Sequence, residues 1–192
     1  MKLSFGLAEI IATIVGGLLC LWLTWVYITV VPNSDNYILI RFFEVVDPVL
    51  LVVVLIAAIF GILAGSLCAV GQSLLVAAVF RENSIDFIYM AAGVMSACFI
   101  GWNMLKMNPR KGEFTLRSIL DINIAHVAVL IFVETMFIPL FEALFRSRNI
   151  GTYIRSGVTQ CIGNAILGLI IITPLMMLVN KIELMVKNRR ES

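Results

Sequence analysis

The sequence predicts an all-α integral membrane protein of six transmembrane helices, a single domain over residues 1–192, and three observations carry that expectation. The 192 residues are 61% hydrophobic and only 14% charged, with a mean hydropathy of +1.03, whereas soluble domains carry about a quarter charged residues. The apolar residues gather in runs of bilayer length, and a spanning helix needs about 20 residues. The longest polar stretch, 106–121, leaves no room for a soluble domain.

The first predicted helix is 7–31, ended by Pro32-Asn33-Ser34-Asp35-Asn36. It is longer than the apolar region of a secretory signal and no small-residue cleavage site follows it, so it is expected to remain as a membrane helix. The second and third are 46–60 and 62–80, with Gly61 as the only break between them. Fused, they would be too long for one crossing; the second is short and has room to begin near Tyr37. The fourth is 85–105. The fifth and sixth, 116–145 and 152–186, exceed a bilayer width, so their ends at 116–122 and 181–187 should project into the cytoplasm or lie at the interface.

Basic residues set the expected orientation. An inside N-terminus places Lys2, Lys106, Arg110, Lys111, Arg117, Lys181, Lys187, Arg189 and Arg190 in the cytoplasm. It leaves Arg41, Arg81, Arg146, Arg148 and Arg155 outside. Nine against five favours both termini in the cytoplasm.

Several chemistries find no support. The net charge of +2 argues against nucleic acid as a partner. The four cysteines, Cys20, Cys68, Cys98 and Cys161, stand singly in apolar runs as small packing residues, and with one histidine no metal site is expected. No serine stands in a Gly-x-Ser-x-Gly context, so catalytic residues are not expected and the chain is not read as an enzyme. There is no Walker A loop, so ATP would have to be hydrolysed on another polypeptide.

Polar groups at membrane depth are the candidates for function, because they are costly in lipid unless paired or facing a cavity. Glu134 lies 12 residues before Arg146, roughly 18 Å at helical rise and near the midplane. Glu142 follows at i+8 on nearly the same face, and Pro139 between them should kink the helix. A buried partner such as Gln72, Gln160 or His126 would make Glu134 structural; a ligand-facing role is the alternative. Gln160 and Asn164 share a face at i and i+4, where amides bond a ligand or join two helices. Arg41, Asn36, Tyr89, Tyr153 and Arg155 are placed to complete a pocket mouth, although tyrosines there also serve as interfacial anchors. The acids favour a ligand with a cationic or donor group; the arginines favour a carboxylate or phosphate. On the first helix Ala8, Ala12 and Gly16 stack on one face, a surface suited either to a second membrane subunit or to packing inside this chain.

Three stretches together resemble the substrate-binding S components of energy-coupling factor (ECF) vitamin transporters. They are the Ala8, Ala12, Gly16 stripe, the turn Phe60-Gly61-Ile62-Leu63-Ala64-Gly65 continuing to Gly71, and the path from Lys111-Gly112-Glu113-Phe114 through Asp121-Ile122-Asn123 and Pro139 to Gly157, Asn164 and Thr173. The sequence departs from that pattern at Ile62, where a proline is expected. It departs again at Glu134 and His126, in place of a tryptophan and a glutamine, so no substrate is carried over. The resemblance implies a multi-pass protein of the bacterial cell membrane that captures a small water-soluble nutrient from outside. Its pocket would lie in the outer half. Its first helix would face a transmembrane coupling subunit, two further subunits would bind ATP, and the chain itself would hold no cofactor. A membrane sensory or anchoring module is the competing expectation.

Overall fold

A computed structural model describes residues 6–80, 86–107, 116–146 and 149–191. The motif residues 111–114 and the arginines Arg81 and Arg148 lie outside the described residues, as does the side chain of Ala8.

Every regular element among the described residues is helical: α1 Leu7–Trp25, α2 Tyr37–Val45, α3 Pro48–Phe60, α4 Ile62–Phe80, α5 Phe87–Met107, α6 Leu116–Leu130, α7 Ile138–Arg146 and α8 Ile150–Glu191. Five helices are long and apolar enough to cross a membrane, or six if α2 and α3, bent by 53° at their junction, form one span. The chain is a multi-pass, all-helical membrane protein.

The junction departs from the expected start at residue 46. Val46 is extended, Asp47 caps α3 by accepting from the N–H groups of Val49 and Leu50, and Pro48 takes the first turn. The cap satisfies helix-end donors that lipid cannot, and the proline removes an N–H that the helix would leave unpaired. Asn36 caps α2 in the same way. Between α3 and α4 the chain reverses at Gly61, whose φ of 95° is a conformation that side-chain-bearing residues avoid.

The expected fifth helix is built in three parts. α6 passes into a π-helical stretch, Ile131–Phe137, and then α7. At its end the Ile138 N–H reaches back to the Val133 carbonyl, and Pro139 has no N–H to give. The Glu134 carbonyl therefore lacks its α-helical donor. It projects against α8 at Gly157, filling the place that a Cβ would take.

Cross-helix contacts give the helix directions. Thr13 reaches the Ala64 carbonyl, the Cys20 and Cys68 sulfurs lie 4.0 Å apart and Gln72 donates to Thr24, so α1 and α4 run parallel. Asn123 donates to Thr173, and His126 meets the Asn164 carbonyl; α6 and α8 run antiparallel. The core is apolar and finely packed, with Cys20, Val54, Ala57, Cys68, Ala97, Ile100, Leu130 and Val133 all buried. Leucine, isoleucine and tryptophan side chains such as Ile14, Leu18 and Trp22 are exposed around it, as a lipid-facing surface requires.

The described part of the small-residue stripe, Ala12 and Gly16, faces inward. Ala12 is buried, and a Cβ at Gly16 would meet the side chains of Ile56 on α3 and Cys68 on α4. These residues let α1 close on its own chain, so Ala12 and Gly16 are no free docking surface; a partner meeting α1 would meet Ile14, Leu18 and Trp22.

Candidate functional site

Two adjoining cavities open in one end of the bundle. The first, about 420 Å³, lies between the end of α1, the α2–α3 junction, α4 and α5, with Thr24, Asp47, Gln72 and Asp86 among its polar lining. The second, about 520 Å³, is bounded by Glu134, Asn149, Thr152, Tyr153, Ser156 and Gly157. Tyr27, Tyr89, Ile138 and Gln160 line both, so the two are lobes of one space. Volumes of this order hold small molecules.

Each polar wall has a local cause. Asp47 is present because α3 needs a cap: one carboxylate oxygen accepts from Val49 and Leu50, each at 3.0 Å. Asn164 fixes that corner from α8, its side-chain oxygen accepting from the Asp47 N–H at 3.0 Å. Gln160 stands one turn earlier on α8 and reaches the lobes, while Asn164 is 1% exposed and lies behind them. Glu134 is carried by the π-helical stretch. An inserted residue of this kind re-aims side chains and is common at functional sites. The glycine at 157 lets α8 pass directly against it.

Glu134 is the unusual member. It is 2% exposed, yet among the described residues its Oε1 has no hydrogen-bond partner. Leaving a buried carboxylate oxygen unpaired costs several kcal/mol, so a group that lines a cavity in this state is equipped for something that enters the cavity. Neither Gln72 nor His126 serves it: Gln72 donates to Thr24, and the His126 ring faces the Asn164 carbonyl.

The other expected site residues are placed differently. Glu142 is 1% exposed and pairs with Arg146 at 2.8 Å, which also holds Asp86 at 2.6 Å; the carboxylate belongs to a bridge between α7 and the start of α5. Arg41 pairs with Glu44 and accepts no part in the lining, its guanidinium lying over the Tyr37 ring. Asn36 uses its side-chain oxygen as the α2 cap. Arg155 is exposed on α8 and borders neither lobe. The structure thus brings together Glu134, Gln160, Tyr89 and Tyr153 and separates them from Arg41 and Arg155.

Asp47, Tyr27 and Asp86 also border the space and were missed by sequence reasoning. Asp47 had a signal, since Asp-Pro before an apolar run is a helix start. Asp86 fell inside the expected fourth helix, 85–105, at a position that gave no such signal. Among the described residues no group of three or more His, Cys, Asp and Glu side chains is placed to hold a metal ion. No family model, curated protein or solved structure matches this chain.

Proposed function

We propose that this chain is a membrane-embedded solute-capture subunit, taking a small water-soluble nutrient into the cavity from the outer side and releasing it inside. The observation that carries the reading is Glu134, buried beside a cavity of molecular size with an oxygen left unpaired. With the N-terminus inside, the cavity end of the bundle faces outward, where a nutrient would be met. The chain has no nucleotide-binding loop of its own. Following the resemblance to ECF S components, energy would come from two ATP-binding subunits through a transmembrane coupling subunit.

A sensory or anchoring module requires no emptied polar cavity, and Glu134 weighs against it. The two differ in a transport measurement. Vesicles holding this chain with the coupling and ATP-binding subunits from the same cell should accumulate the nutrient only when ATP is enclosed. Nutrient binding with no ATP-dependent accumulation in that assembly would remove the importer reading.

A further inference from the structure

The chemistry of the walls names the class of ligand, an inference that rests on the capture reading above. We infer that the cavity takes an organic cation, its charged nitrogen beside Glu134 and its apolar body in the lobe between α1, α3 and α5.

Three independent features converge. First, the lining has three carboxylates, Asp47, Asp86 and Glu134, and no lysine or arginine among the described residues. Among these lining residues an anion would find no counter-charge. Second, the acids differ in what already satisfies them. Asp86 has Arg146 at 2.6 Å, and Asp47 has two α3 backbone donors at 3.0 Å together with the positive end of that helix. Among the described residues Glu134 has neither: it is 2% exposed with Oε1 unpaired, and no cationic side chain borders its lobe. A ligand cation supplies what the fold withholds. Third, the wall common to both lobes carries Tyr27 and Tyr89, with Tyr153 on the Glu134 side. Tyrosine faces attract organic cations and tolerate their apolar substituents.

The lobes also divide the ligand. The first is walled by Leu23, Val53 and Ala92, and the second by Glu134, Thr152 and Ser156. Gln160, on the shared wall, can accept or donate to a polar group between the two halves. Of the arginines expected at the mouth, Arg41 is engaged by Glu44 and Tyr37 and Arg155 borders neither lobe, while Arg146 is held by Asp86 and Glu142.

The test uses three probes sharing one body: phenethylammonium, phenethyl alcohol and phenylacetate. Saturable binding to the full chain in lipid nanodiscs is followed by saturation-transfer NMR, with empty nanodiscs as the blank. Phenethylammonium should bind tightest, and Glu134→Gln should weaken it at least tenfold while leaving phenethyl alcohol unchanged. Tyr89→Leu, which keeps the bulk and removes the aromatic face, should weaken the cation about threefold or more and serves if Glu134→Gln does not fold. Tightest binding of phenylacetate, or cation binding indifferent to a folded Glu134→Gln, overturns the assignment of charge and leaves the capture reading standing. Saturable binding by none of the three overturns both.

Discussion

Gly157→Val should yield no folded protein, and Gly157→Ala should lower stability by about 3 kcal/mol, at the upper end of what overpacking costs. The argument is geometric. The Glu134 carbonyl oxygen stands where a Cβ at residue 157 would be, with the Glu134 carbonyl carbon only 2.8 Å from that position. Both are backbone atoms, so no rotamer change relieves the clash. The carbonyl cannot retreat into its own helix either. Ile138 donates to Val133 and Pro139 has no N–H, so the local winding that aims Glu134 at the cavity also pushes this carbonyl outward. Fluorescence-detected size-exclusion chromatography and thermal melting in detergent read both variants. Wild-type melting of Gly157→Ala would show that α8 does not approach the π-helical stretch as described, and the placement of Glu134 would go with it.

Arg146→Met should cost about 3 kcal/mol, the low end for leaving one member of a buried ion pair alone, reduced because the Arg146 side chain is 42% exposed. Glu142 is 1% exposed on its side chain and, among the described residues, has only this guanidinium at 2.8 Å, its second oxygen being unpaired. The same guanidinium holds Asp86 across 60 residues of sequence, so its loss also loosens the start of α5 where that helix borders the cavity. Adding Glu142→Leu to Arg146→Met should restore most of the stability, because the stranded charge disappears with its partner. A double-mutant cycle on melting temperature measures this recovery. If the two changes instead add independently, Glu142 is not held by Arg146 and becomes a ligand candidate again.

Much of this arrangement could be read from the chain. The place of Glu134 inside an apolar span, the spacing of Gln160 and Asn164 and the Gly61 reversal follow from helical periodicity and from rules that act over a few residues. Which polar group meets which did not follow. Gln160 and Asn164 lie one turn apart, yet one reaches the cavity and the other holds the Asp47 N–H; the choice is made by the α2–α3 junction, 117 residues earlier. The α3 start was hidden because Val45-Val46 continues the apolar run across the Asp47-Pro48 signal. The stripe at Ala12 and Gly16 is equally good for packing against a partner or against the chain itself. Only the positions of Ile56 and Cys68 decide it. Glu142 was expected to face a ligand although its i,i+4 spacing to Arg146 allows the pair, and Asp86, the third member, required the fold.

The capture reading and the cation assignment both need the lobes around Tyr27, Tyr89 and Gln160 to be occupied by a solute in the cell. Mass spectrometry of small molecules released from the detergent-purified chain measures that occupancy. Gln160→Trp, which fills the shared wall, provides the control once its melting shows that it is folded. The account predicts a positively charged compound released from wild type and depleted at least tenfold from the tryptophan variant. Equal recovery from both proteins, or no compound above the level of an unrelated membrane protein, would contradict it.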